Sequence, residues 1–272
     1  MTYDDRVLTE IPVLTRWWDA LELPPQGYAS LQLGPLHLLL SRSKGVLQLA
    51  TRADGDALDE RLERGVVSAW QPPAGYDVQR FALGDGPLRL QPRLPDRFAV
   101  ARPERPTTVP AGVTLTAYLT VPVWVAVLDG ETTLTEIPVY RPSDTWFGPS
   151  TMEGELGYAL RTSLKTSYKR LHLRPHRAVT RLTIVNRGST PLAISRLRLP
   201  MDELSLHAGQ TALWTEELRI VRKQDDDTAE VTIPGSLPDE AGPLVKVAGA
   251  RHASDGALLL RVFNSLFAGN GR

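Results

Sequence analysis

Glycine and proline punctuate this chain so evenly, at 21 and 22 residues of 272, that they cut it into short segments. Proline removes a backbone donor and glycine supplies turn conformations, so this punctuation favours many short strands joined by turns. Several segments alternate with the period of a half-buried strand. In VTLTAYLT, Val113, Leu115, Ala117 and Leu119 fall on one face.

The alternation places most of the elements. LQLGPLHLLL (Leu31 to Leu40), the turn SRSKG and VLQLAT (Val46 to Thr51) predict a hairpin. Further strands are expected at Val78 to Leu83, Pro87 to Leu90 and Arg97 to Ala101. The longest mainly apolar run, Tyr118 to Leu128 (YLTVPVWVAVL), carries Pro122 and reads as one buried strand. It falls short of the roughly 18 apolar residues that a membrane span needs. Val179 to Asn186, the turn RGST and Pro191 to Leu199 predict a second hairpin. Ala212 to Arg222 and Thr228 to Ile233, around the acidic loop Gln224 to Asp227, predict a third. One short surface helix is expected over Asp54 to Arg64, with Leu58 and Leu62 one turn apart and Asp56 as cap. The tail ALLLRVFNSLF fits a strand or a short helix. Of Trp17 and Trp18, one ring is expected inside and one outside an N-terminal strand.

These elements predict an all-β protein of antiparallel β-sandwich architecture, with one or two short helices. The proline-rich RPERPTTVP (Arg102 to Pro110) marks the expected junction between two sandwich-like domains, 1–104 and 105–272. One larger sandwich is the alternative, because the first hundred residues carry little core of their own.

Composition narrows function. Lys plus Arg equals Asp plus Glu at 31 each, so the chain lacks the basic excess of a nucleic-acid binder. The arginines within 161–177 and 187–198 are interleaved with apolar residues and read as solvated strand faces, with a local basic patch as the alternative. With 42% hydrophobic residues and no net charge, disorder is not expected. The absence of cysteine excludes disulfides, thiolate-held zinc and thiol catalysis, and suits a reducing cytoplasm. The first residues, MTYDDRVLTE, open on acids and lack the basic and apolar regions of a signal peptide.

The usual catalytic patterns do not assemble. His172 and His176 are four apart, but Leu173 stands where a zinc protease pattern requires Glu, and Pro175 interrupts a helix. Neither a G-x-S-x-G elbow nor a phosphate-binding glycine loop occurs. Glu153 and Glu155 flank Gly154 and are expected on one strand face. Paired carboxylates perform glycoside hydrolysis, yet acids at this spacing are also ordinary on solvated strands. No catalytic residue, metal or cofactor is therefore assigned.

One segment stands apart: Ile137 to Arg161, IPVYRPSDTWFGPSTMEGELGYALR. It carries three glycines and three prolines. Tyr140, Trp146, Phe147 and Tyr158 are interleaved with Ser143, Asp144, Glu153, Glu155 and Arg161. Aromatic rings beside fixed polar groups make a binding surface, and long loops often carry function. The competing reading is that Trp146 and Phe147 plug the core while Ser143-Asp144-Thr145 makes a capped turn.

The runs Ser143 to Gly148 (SDTWFG) and Glu155 to Thr162 (ELGYALRT), with RPHRAVTRLTIVNRGSTPLAISRLRLP and LSLHAGQTALWTEELRIV, resemble a prokaryotic family known as a domain of unknown function, number 432. The resemblance runs from about Leu31 onward and is densest from Pro103 to Val221. It brings no agreed catalytic residues. It implies a cytoplasmic, mostly β protein. Its members are often encoded near small-conductance mechanosensitive-type channels, which implies an accessory or regulatory protein partner, reached at the inner membrane without insertion. The expectation is a non-catalytic interaction module. A carbohydrate-binding or carbohydrate-processing sandwich and a self-associating structural protein are the alternatives.

Overall fold

The computed structural model describes residues 16–23, 27–150, 152–226 and 228–252, and the backbone of 258–261. Strands dominate them. The only helical elements among the described residues are single 3-10 turns at Tyr168–Arg170, Met201–Glu203 and Asp239–Ala241. The all-β expectation holds.

The first sheet has five antiparallel strands in the order Leu62–Val67, Tyr28–Leu33, Leu36–Ser43, Val46–Ala53, Asp77–Ala82. The run expected as one strand from Leu31 to Leu40 is two, because Gly34 turns the chain at φ +54° and Pro35 has no ladder donor. Lys44 and Gly45, both at positive φ, make the next turn, as a two-residue hairpin with right-handed twist requires. Leu31, Leu33, Leu36, Leu38, Leu40, Leu47 and Leu49 are all buried.

No helix forms over Asp54 to Arg64. The Asp56 side chain accepts from the Leu58 amide at 3.1 Å, and Asp59 accepts from both the amide and the guanidinium of Arg61. These local bonds compete with a helix, and Leu58, 61% exposed, offers no apolar stripe to bury. From Leu62 the chain instead pairs with Tyr28–Leu33 as an edge strand.

A four-stranded sheet has the order Asp19–Ala20, Leu88–Arg93, Trp124–Asp129, Thr132–Pro138. A second has the order Asp144–Phe147, Glu155–Thr162, Ala99–Pro103, Leu197–Leu199. The largest sheet is built on Arg177–Asn186, which pairs with Thr114–Pro122 on one side and with Leu213–Thr215 and Leu218–Arg222 on the other. Thr107–Val109 pairs with Leu192–Ile194. Strands before and after Pro103 thus share two sheets, and one core cluster runs from Trp17 to Ala248.

Three further expectations change. The apolar run from Tyr118 to Leu128 is split at Val123 between two sheets, after Pro122 ends the first ladder. Pro191 to Leu199 does not fold back on Val179 to Asn186. The Asn186 amide donates to the carbonyls of Val109, Pro110 and Thr190, and the chain leaves that sheet. Trp17 and Trp18 are both buried, at 2% and 5% exposure, with rings edge-to-face at 5.6 Å. The run expected from Ala212 to Arg222 is two strands, Leu213–Thr215 and Leu218–Arg222, of which the second forms the expected hairpin with Thr228–Thr232, and the tail contributes Leu258–Arg261 as its next neighbour; residues 262–272 lie outside the described set.

Buried polar groups join the sheets. Trp17 Nε1 donates to the Pro175 carbonyl at 2.8 Å. Arg177 donates to the hydroxyl and carbonyl oxygens of Thr120 at 2.7 and 2.6 Å. The His176 ring packs so tightly under Gly34 that a β-carbon there would lie 2.7 Å from it. Burial holds the His176 pKa down at about 4, from an ordinary 6.5. The unfolded chain therefore takes up this proton before the folded one does. Its contribution to stability is complete above pH 6.5 and is lost as pH falls through the window from 6.5 to 4. The loss expected across that window is about 3 kcal/mol. Urea unfolding across this range measures it, and a slope unchanged by His176→Gln would contradict the assignment.

Candidate functional site

The segment singled out in the sequence folds as a hairpin. Asp144–Phe147 is an edge strand and pairs antiparallel with the start of Glu155–Thr162. The turn between them needs glycine at both ends. A β-carbon at Gly148 would sit 2.0 Å from the Glu153 carbonyl oxygen, and one at Gly154 2.8 Å from Trp146 Nε1. Within the turn, Ser150 Oγ accepts from the amides of Met152 and Glu153 at 3.2 and 3.0 Å.

The pleat sorts the aromatic residues. Trp146 stands opposite Leu156 in the register, and opposed residues project from the same face. Both are exposed, at 42% and 47%, and Met152 in the turn is 89% exposed. Trp146 is nevertheless fixed, because its Nε1 donates to the Ser150 carbonyl at 2.8 Å. Phe147 points the other way and is buried against Phe98, ring centroids 6.4 Å apart, beside Val100. The core-plug reading fits Phe147 and not Trp146, which faces solvent, and Asp144 and Thr145 lie in a strand where a capped turn was expected.

Tyr158 is buried. Its ring lies edge-on to Trp124 at 5.9 Å and its hydroxyl donates to Asp96 at 2.7 Å. Burial, then this bond, pushes the phenol pKa up to about 12. Tyr158 is therefore a supporting residue and is not on the surface. Tyr140 is exposed ahead of the hairpin. Ser143 is exposed and its carbonyl accepts from the Ala159 amide at 2.8 Å. Asp144 lies 3.7 Å from Arg97. Glu153 and Glu155 are both exposed, and Glu155 is held by Arg198 at 2.7 Å. Arg161 is exposed further along its strand.

The structure adds residues that the sequence did not single out. Leu156 stands opposite Trp146, and Met152 is exposed in the turn that joins their strands. Their signal was present in the alternation, which sets positions 146 and 156 opposite each other once the turn at 148–154 is placed. Arg196 and Arg198 arrive from a distant segment, Arg196 over the Phe147 ring at 5.7 Å and Arg198 over Phe98 at 4.2 Å. Elsewhere, His172 is exposed while His176 is buried, so that pair does not share a face. Among the described residues no three His, Asp or Glu side chains are grouped to hold a metal.

These features define an all-β protein that displays an apolar-tipped hairpin. The chain belongs to the family described as Protein of unknown function (DUF432), whose model matches residues 17–268. No curated protein and no solved structure matches it.

The turn geometry sets an expected outcome. Gly148→Ala drives a β-carbon into the Glu153 carbonyl and costs about 1–3 kcal/mol by thermal or urea unfolding. Wild-type stability for this variant would show that the turn is not held as described.

Proposed function

We propose that this protein is a non-catalytic interaction module and that Trp146, Leu156 and Met152 form the centre of its contact surface. The observation that carries this reading is that Trp146 is exposed yet locked by Ser150. A free surface tryptophan loses side-chain entropy when a partner covers it, whereas one already fixed does not. Of ten exposed large hydrophobic residues among those described, four (Tyr140, Trp146, Met152 and Leu156) fall within 17 consecutive positions. Such clustering marks an interaction site more often than scattered apolar residues do.

Family resemblance supplies the partner for this reading: the cytoplasmic part of a small-conductance mechanosensitive-type channel. The module would act in the cytoplasm, at the membrane only through that partner. Among the described residues no helix is long and apolar enough to cross a membrane. The exposed indole equally suits a sugar ring, but a carboxylate pair for sugar processing has less support, since Glu155 is engaged by Arg198. Self-association has the free edge of Asp144–Phe147 in its favour.

Co-purification with a tagged channel in mild detergent tests the reading. Trp146→Ala is expected to weaken capture by about thirtyfold or more, as truncation of a hot-spot tryptophan does. Its stability should fall by only about 1 kcal/mol, the cost of losing the bond to the Ser150 carbonyl, so the protein stays folded. Capture unaffected by Trp146→Ala and Leu156→Ala would refute the assignment.

A further inference from the structure

Arginines from three strands meet on the opposite face of the hairpin's sheet, turned away from the main core. Arg102 on Ala99–Pro103 and Arg161 on Glu155–Thr162 stand at matching register positions. Arg198 lies on Leu197–Leu199, with Arg196 two positions before it. Alternation puts all four on the face of Val100 and Phe147.

Their neutralisation is incomplete. Arg198 pairs with Glu155. Arg196 donates to the Trp146 carbonyl at 2.9 Å, and its buried Nε has no hydrogen-bond partner. Arg102 reaches only the neutral Thr145 hydroxyl, at 3.3 Å. Among the described residues, Arg102, Arg161 and Arg196 form no ion pair. Burial, then the charge of Arg102, holds the Arg196 pKa down, so these groups sense one another. Opposed like charges destabilise a sheet, and this protein has 31 carboxylates with which to balance its 31 cations. The concentration of unpaired guanidinium groups on one face stands out against that neutral whole.

We propose that this face receives an acidic peptide segment of a protein partner, its carboxylates taken by Arg102, Arg161 and Arg196. A guanidinium presents a planar fork that matches a carboxylate. Phe98 and Phe147 lie buried beneath Arg198 and Arg196, so this face offers no large apolar side chain to enter a bilayer. That favours a peptide over a membrane surface. The inference rests on the reading of this sheet as an interaction surface but uses the face opposite Trp146, so the two are separable.

The test is fluorescence anisotropy with a labelled oligoglutamate peptide at low ionic strength, with oligoglutamine of equal length as control. The wild-type protein should bind oligoglutamate selectively and lose it as salt is raised. The double variant Arg102→Gln/Arg161→Gln should bind about tenfold more weakly. A distant pair of exposed arginines, changed as Arg42→Gln/Arg80→Gln, should leave binding unchanged. Equal binding of both peptides, or equal loss in both double variants, would overturn the proposal. So would retention of anionic phosphatidylglycerol vesicles without binding of oligoglutamate. Trp146→Ala should keep oligoglutamate binding, so failure of the hairpin reading and failure of this one give different results.

Discussion

The strand Ala99–Pro103 is buried on both faces over its first three residues, and the hairpin and the arginine face depend on that constraint. Ala99, Val100 and Ala101 are each completely inaccessible. Ala99 and Ala101 belong to the main core, while Val100 joins Phe98 and Phe147 in a small cluster on the other side. Small side chains on the core side let the sheet lie close to the leucine- and valine-rich interior, where methylene-level fit matters. Because parallel pairing to Glu155–Thr162 and antiparallel pairing to Leu197–Leu199 occupy both edges, this strand fixes the register of its neighbours. The hairpin projects from that register, and the arginines converge because of it.

The same two-sidedness explains how a neutral protein carries two unlike surfaces back to back. Along a strand, side chains alternate between faces. At Trp146 and Phe147 that alternation sends one ring to solvent and one beneath Arg196. At Glu155 and Leu156 it sends a carboxylate to Arg198 and an apolar side chain to the side of Trp146. An apolar patch and a cluster of arginines thus need no separate domains. They are the two sides of one small sheet.

Much of this was legible in the sequence, and the failures share a cause. Alternation and turn residues identified the all-β class, and the resemblance identified the family. They also drew attention to 137–161, where aromatic residues cluster. What local pattern cannot supply is partner choice. Pro191 to Leu199 alternates cleanly, yet its two halves pair with Thr107–Val109 and Ala99–Pro103, over eighty positions away. The Asp54 to Arg64 segment has helical spacing, but its aspartates bond locally and a vacant edge beside Tyr28–Leu33 takes the chain that follows. The arginine face is only half legible for the same reason: Arg161, Arg196 and Arg198 stand out as two arginine clusters, but they join Arg102 only once three remote strands are set side by side. Gly34 and Pro35 mark the break within the leucine run, where apolar count alone predicts a single strand.

The most direct test places a photo-crosslinking amino acid at position 146 of the full-length protein in its native cells, with position 80 on the distant sheet as control. If the locked indole marks the contact surface, irradiation yields a discrete adduct from 146 with another protein and none from 80. An adduct from 80 with none from 146 would contradict the account.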